Sequence, residues 1–408
     1  MDRKSFTMLN LIDQSRGEAL SGSAAERARH QTLPGRLAIS SIFGRPSDRA
    51  TWSGAPRRIA DKFGELGVEI VDAYPAVSLT EKSLSAIGYI RSGYGWLPSS
   101  LSLFRGADIR ARRARRVASA MKRGKAGSVL HTGTLDLPAE DWREVDHFLY
   151  CDHTWNLWLR HRNKNDPHTL KARVEFDALD RKCYGQMRHI FTFGAYVRDD
   201  LIEHYGVEPD RVTAVGSGMG FIDPYFGPKN HDGGTLLFVA KHYFVPKGGE
   251  LVLEAFRIAR QKRPDLRLVI VWDGEDPRIA ARYPEVEFRS HLSWDVLTGL
   301  YREACLLVEP AFNEPWGQVY LEALVSRTPV VGLNRNGLPE ILERGRHGFL
   351  VDEATPETVA NAILDAVSDP ARLASMGTSG QRHVLRNYSW DGVVRAMAEV
   401  MSRPRDRE

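Results

Sequence analysis

From Arg36 onward, short runs of apolar and β-branched residues alternate with longer segments whose apolar positions recur every three or four residues. Strands covered on both faces read as continuous apolar runs, and the helices covering them carry one apolar stripe. The alternation therefore predicts stacked βαβ units and parallel sheets. It occurs twice. In the first half, strands are predicted at Leu37–Ile42, Val68–Asp72, Ser128–His131, His147–Cys151, His189–Phe193 and Arg211–Val215, with helices such as Pro56–Leu66 and Leu170–Met187 between them. In the second half they are predicted at Thr235–Ala240, Arg267–Val271, Val286–Arg289, Leu306–Glu309, Pro329–Gly332 and Phe349–Val351. The helices there are Gly249–Gln261, Asp295–Glu303, Gln318–Ser326, Pro339–Glu343 and Pro356–Ser368.

Between the halves, Gly216–Gly234 is too rich in glycine and proline to be a regular element and reads as a linker. The expected fold class is α/β, with two doubly wound, Rossmann-like domains facing a central cleft. Open parallel sheets bind ligands beyond the carboxyl ends of their strands. The expected organisation is a polar, mobile extension over 1–33, one domain over 34–216, the linker over 217–234, a second domain over 235–386, and a closing helix over 387–408. Apolar spacing at Trp390, Val393, Val394, Met397 and Val400 supports that helix.

Composition narrows the function classes. A chain of 408 residues has room for two or three domains, each with its own core. The 56 Lys and Arg against 52 Asp and Glu leave a net charge of only +4, too balanced to require nucleic acid. Cys151, Cys183 and Cys305 are far apart and lack metal-type spacing, which points to a reducing, cytoplasmic setting. No run approaches the roughly 18 apolar residues of a membrane span, and residues 1–33 lack the apolar centre of a signal peptide.

The chemistry concentrates at three predicted strand ends of the second half. After Leu306–Glu309 comes a loop with Glu314, then Gly317, where a helix opens with Glu322 in its early turns. The free backbone N–H groups of Gly317, Gln318 and Val319 at that start form an anion site. After Thr235–Ala240, the loop Lys241-His-Tyr-Phe-Val-Pro-Lys247 sets two cations before a helix, an arrangement suited to a diphosphate. Asn336-Gly-Leu-Pro-Glu340 starts a further helix, with Pro339 a favourable first-turn residue.

Together these motifs resemble the donor-binding domain of retaining glycosyltransferases of the GT-B fold, the glycosyl transferases group 1 family. The Glu-x7-Glu motif matches Glu314 and Glu322. The basic loop matches Lys241 and Lys247, the Gly-x-Pro-Glu turn matches Gly337–Glu340, and the Asn-Gly-Phe-Leu-Val stretch matches His347–Val351 with His for Asn. Weaker similarity extends the resemblance over about Arg36 to Trp390. It implies that Glu314 contacts the donor sugar beside the reacting carbon and that Glu322 binds the nucleotide ribose. Lys241, Lys247 and the amides of Gln318 and Val319 would hold the diphosphate, and the backbone of Arg289, Ser290 and His291 the base. In the first half, Gly54 resembles the glycine-rich first loop, and His153 falls where the family often has a histidine near the sugar. Lys241 stands where the family usually has arginine, and Ser290 where glycine is frequent.

The resemblance implies transfer of a hexose from a UDP- or GDP-sugar to a glycan or lipid-linked acceptor, with retention of configuration and without a cofactor. No Asp-x-Asp triplet occurs, in line with metal-independent use of the lysines. A phosphorylase sharing the fold, and a non-catalytic sugar-nucleotide binder, are the alternatives. A second feature is the basic segment 105–125, with Arg105, Arg110, Arg112, Arg113, Arg115, Arg116, Lys122, Arg123 and Lys125. It is either a solvated helix face or a surface that attracts anionic lipid at the cytoplasmic membrane or an acidic or lipid-linked acceptor. Tyr94 and Trp96, just before it, are candidates for an acceptor groove or for core.

Overall fold

The computed structural model describes residues 33–49, 51–95, 100–135, 145–161, 168–274 and 276–404. The expectations for residues 1–32 and for Trp96 lie outside them. Two six-stranded sheets are present. The first comprises β1 (Arg36–Ser41), β2 (Glu69–Asp72), β3 (Ser128–Thr132), β4 (Asp146–Cys151), β5 (His189–Thr192) and β6 (Val212–Ala214), in the order β2-β1-β3-β4-β5-β6. The second comprises β7 (Thr235–Lys241), β8 (Arg267–Trp272), β9 (Val286–Arg289), β10 (Leu306–Val308), β11 (Val330–Leu333) and β12 (Gly348–Val351), in the order β12-β11-β10-β7-β8-β9. Every pairing is parallel; Leu37, for example, lies opposite Ile70 on one side and Ser128 on the other.

Strand order reverses direction at β1/β3 in the first sheet and at β7/β10 in the second. Connections leave a reversal point to opposite faces, which opens a crevice there, and that is where such sheets bind ligands. The loops of interest follow β1, β7 and β10.

The apolar core does not stop at the linker. One buried cluster joins Leu37, Ile59 and Phe193 of the first half to Trp316, Tyr320 and Leu321 of the second, and to Tyr388, Val393 and Met397 near the end of the chain. The closing helix, Trp390–Met401, packs against the Ala55–Glu65 helix that follows β1. Lys62 pairs with Asp391 across that contact at 3.1 Å. Trp390 Nε1 donates to Met219 O of the linker at 2.8 Å, and its indole lies against Gly218 where any Cβ would collide.

All three cysteines are buried. Among the described residues, no helix is long and apolar enough to cross a membrane.

Candidate functional site

The centre of the second lobe is an ion cluster at the β7/β10 reversal. Lys247 Nζ lies 3.0 Å from Glu309 Oε1 and 3.7 Å from Glu314 Oε2, and donates to Val239 O at 3.2 Å. Glu309 is fully buried at the end of β10, and its second oxygen accepts the Val239 N–H. Burial pushes the Glu309 carboxyl up to about 7, with Lys247 opposing that rise. Burial works against the Lys247 charge, but Glu309 and Glu314 outweigh it and hold its pKa above the ordinary value. Lys247 is thus a fixed cation whose position is set by an acid that the sequence reading passed over. The signal was available: a carboxylate ends a wholly apolar strand, and without a partner there it would be costly.

Lys241 differs. It is exposed at the mouth of β7, in a left-handed conformation (φ 49°), with its ammonium 4.4 Å from the centre of the Trp294 ring. Both lysines act electrostatically on Glu322.

Glu314 sits in the loop before the helix Gln318–Val325, which opens at Gly317 (φ 81°). Asn336 Nδ2 donates to Glu314 O at 3.1 Å and fastens the loop to the turn after β11. Glu322 is 6 % exposed, and its Oε2 accepts the Tyr301 hydroxyl at 2.9 Å. Burial raises its pKa, and the Tyr301 bond opposes the rise. Its Oε1 faces Gly220 of the linker. Gln318 reaches the linker too, donating to Ser217 Oγ at 2.8 Å, while its Oε1 is buried and unpartnered among the described residues. Val319 is buried.

The first lobe brings His153 to the same cleft. Its Nδ1 lies 2.8 Å from Thr154 O, which fixes the proton on Nδ1 and leaves Nε2 as an acceptor, buried and with the Asn336 side chain as its neighbour. Burial lowers the imidazole pKa to about 4. Asp152 beside it is pushed up to about 6 by burial, with Glu314 across the cleft adding to the rise. The Tyr196 hydroxyl lies 2.6 Å from both Asp152 O and Pro315 O, linking the loop of His153 to the loop of Glu314.

The remaining expected residues lie at the margins. Gly54 ends a left-handed run, with φ 43° at Trp52, 54° at Ser53 and 80° at Gly54. Only glycine fits there, because a Cβ would stand 2.6 Å from the Phe221 ring. Phe221 stacks on toward Trp294, so an aromatic bridge joins Gly54 to Lys241. Arg289 and Ser290 line a pocket of about 250 Å³ with Trp272, Asp276 and Phe288. The Arg289 side chain pairs with Glu287, and the His291 N–H donates to Asp273 Oδ1 at 2.7 Å. The fold therefore gathers Lys247, Glu314, Glu322, Gln318 and His153 around one cleft and leaves Arg289, Ser290 and His291 at its edge.

Comparison with known proteins fits this geometry. Residues 233–369 match the family described as glycosyl transferases group 1. Those residues belong to that family. A D-inositol 3-phosphate glycosyltransferase of Streptomyces avermitilis is 29% identical over 229 residues, 50% of this chain and 49% of that protein. One of the same name from Salinispora tropica is 26% identical over 428 residues, 91% of this chain and 86% of that one. The chain spans about half the length of several of the curated relatives it matches. Among solved structures, Anabaena Alr3699/HepE, in complex with UDP and glucose, has a TM-score of 0.64 at 16% identity, covering 91% of this chain and 100% of that one. The fold is GT-B, with the group 1 domain built on the second sheet.

Outside the group 1 domain, the basic segment is a solvated face only in part. Arg110 is 2 % exposed and pairs with Asp180 at 2.7 Å, and Arg113 is equally buried with its guanidinium over Phe104. Arg116 makes two 2.6 Å bonds to Glu81, and Arg105 lies over the Trp155 ring. Arg115, Lys122, Arg123 and Lys125 remain exposed. Tyr94 belongs to the core, its ring against Tyr89 and Phe176 and its hydroxyl bonded to Glu175.

Proposed function

We propose that the chain is a retaining glycosyltransferase that moves a hexose from a UDP- or GDP-sugar to a hydroxyl of a glycan or glycolipid acceptor in the cytoplasm. The observation that carries this reading is Lys247, held charged between Glu309 and Glu314 at the β7/β10 reversal, opposite His153. Cleavage of a sugar–diphosphate bond builds negative charge on the leaving phosphate and positive character on the sugar. A preorganised cation and helix amides stabilise the first, and a nearby carboxylate the second.

In this reading Lys247, Lys241 and the N–H groups of Gln318 and Val319 receive the diphosphate, and no metal is needed. Glu314 meets the sugar hydroxyls beside the reacting carbon. Glu322, held by Tyr301, takes the ribose through Oε1. The backbone of Arg289 to His291 receives the base, and the Gly54 amide approaches the phosphates. His153, neutral at physiological pH with an Nε2 lone pair, accepts a hydrogen bond from a sugar or acceptor hydroxyl. The relatives named for D-inositol 3-phosphate add a phosphorylated polyol to the acceptors worth testing. The Arg105 cation, close enough to influence His153 electrostatically, suits such a group. Peripheral membrane contact, if made through the basic segment, falls to Arg115, Lys122, Arg123 and Lys125.

The test is release of nucleoside diphosphate from a panel of UDP-, GDP- and ADP-sugars, with and without added acceptors and without metal. Glu314→Ala is expected to lower turnover by about 10² or more, the scale for losing one stabilising group. Near-normal turnover in that variant overturns its assignment. Sugar release that depends on inorganic phosphate identifies a phosphorylase instead, and tight donor binding without release identifies a binding protein.

A further inference from the structure

At the turn that follows Leu338–Ile341, three side chains of metal-ligating type meet. His347 Nε2 lies 2.9 Å from Glu343 Oε2, and His383 Nδ1 lies 3.2 Å from Glu343 Oε1. The surrounding bonds bear on where the imidazole protons are. Ser379 Oγ lies 3.0 Å from Met376 O and 3.0 Å from His347 Nδ1. In the tautomer in which Nδ1–H donates to Ser379, His347 Nε2 presents a lone pair to the carboxylate.

Asn387 Nδ2 is anchored on His383 O at 3.0 Å, which fixes that end of the amide as the donor. The same Nδ2 points at His383 Nδ1 at 2.9 Å. His383 Nδ1 is then also a lone pair facing the carboxylate. Two imidazole nitrogens and one carboxylate thus converge on one point, which is the donor set of a metal site.

His347 and Glu343 come from the turn and His383 from the helix Pro370–Asn387, so the three donors reach one point from two separate parts of the chain. Arg346 also approaches Glu343 Oε2 at 3.2 Å, but its side chain is 74 % exposed, so it can turn into water at little cost.

We propose that Glu343, His347 and His383 form a binding site for one divalent transition-metal ion, with zinc the ion best suited. The three ligand atoms lie within 4.8 Å of one another. Zinc bonds of about 2.0–2.1 Å to nitrogen and oxygen require the ligand atoms to close to roughly 3.3 Å, within reach of side-chain rotation, and a His₂-carboxylate set leaves a fourth position for water. Ser379, bonded to His347 Nδ1, is the outer partner that orients a metal-ligating histidine. The ion takes the His383 lone pair from Asn387, which keeps its bond to the carbonyl. Glu343 has φ 44° and Arg344 φ 56°, a left-handed turn that brings the carboxylate and His347 to the same side. Metal binding would tie this turn to the helix Pro370–Asn387. The His383 ring meets Tyr388 at 5.4 Å, and Tyr388 meets Trp316 of the Glu314 loop at 5.6 Å.

The experiment needs no enzymatic activity and so is independent of the proposed function. The full, untagged chain is stripped with chelator and titrated with Co²⁺, whose visible spectrum reports coordination, and then with Zn²⁺ as competitor. The expected result is one Co²⁺ per chain with tetrahedral absorption, displaced by Zn²⁺. Glu343→Gln, an isosteric change at an exposed position, should abolish that spectrum or weaken binding by at least about tenfold. Ser379→Ala should weaken it on the scale of an outer partner, about 10-fold. No stoichiometric binding, or binding unchanged in Glu343→Gln and in His347→Ala/His383→Ala, overturns the proposal.

Discussion

Glu340 of the second lobe caps a helix of the first. Its Oε2 accepts the backbone N–H of Ala195 at 2.8 Å, at the start of the Ala195–Glu203 helix after β5. The carboxylate belongs to the turn Gly337–Glu340, so this turn has work at the contact between lobes as well as within its own. Glu340→Ala is expected to cost about 1 kcal/mol, the usual scale of a lost cap, and to speed amide exchange at Ala195 and the following residues. Glu340→Gln retains an acceptor and should do much less. Equal exchange in all three chains would show that the cap contributes nothing.

The two lysines of the cleft should separate cleanly on substitution. Lys247→Ala leaves Glu309 and Glu314 facing one another without their cation, and breaking a buried pair on one side costs about 3–5 kcal/mol. The combined Lys247→Met/Glu309→Met replacement should recover most of that loss. Lys241→Ala, at an exposed position, should leave stability within about 0.5 kcal/mol while weakening nucleoside diphosphate binding. Chemical denaturation and equilibrium binding of UDP and GDP check both statements.

His153 makes folding sensitive to acid. Its folded pKa is lowered from 6.5 to about 4 by burial, so between those values the unfolded chain takes up a proton that the folded chain refuses. The contribution is fully present above pH 6.5 and is lost as pH falls toward 4, amounting to roughly 3 kcal/mol at most. His153→Asn should flatten the pH dependence of stability in that window, measured by urea unfolding at several pH values. An unchanged slope would place the titration on another group.

The basic segment predicts a contrast between structure and surface. Arg110→Ala strands the buried Asp180 carboxylate and should destabilise the chain by about 3–5 kcal/mol. Replacing Arg115, Lys122, Arg123 and Lys125 by glutamine should leave stability nearly unchanged. If the segment meets anionic lipid, that second variant loses vesicle binding; sedimentation with phosphatidylglycerol vesicles reads it directly.

Much of the fold was legible because buried parallel strands are hard to disguise. Leu236–Ala240 and Leu306–Val308 are wholly apolar, and all twelve expected strands are present within a residue or two. Helices with mixed surfaces were harder. Leu79–Arg91, Ala195–Glu203 and Pro370–Asn387 carry few apolar positions in strict period, and tertiary packing rather than pattern defines them.

The site was legible where a motif is local, as with Glu314 and Glu322 eight positions apart in the chain. It was not where chemistry depends on distant partners. Glu309 and Lys247 are separated by 62 positions, Arg110 and Asp180 by 70, and His347 and His383 by 36. Composition counted the arginines of the basic segment as surface, because nothing local to Arg110 announces Asp180.

The chain passes between the lobes twice, once through the linker and once just before Trp390, and Trp390 Nε1 is bonded to Met219 O where the two passages meet. Two tethers fastened side by side allow far fewer relative motions than one. Swinging about the line through them bends backbone already free of sheet and helix, whereas twisting or sliding across that line would tear the Trp390–Met219 bond and the apolar contacts around it. The cleft between Lys247 and His153 is therefore held by the tethers at one end and by the Tyr196–Pro315 and Glu340–Ala195 bonds.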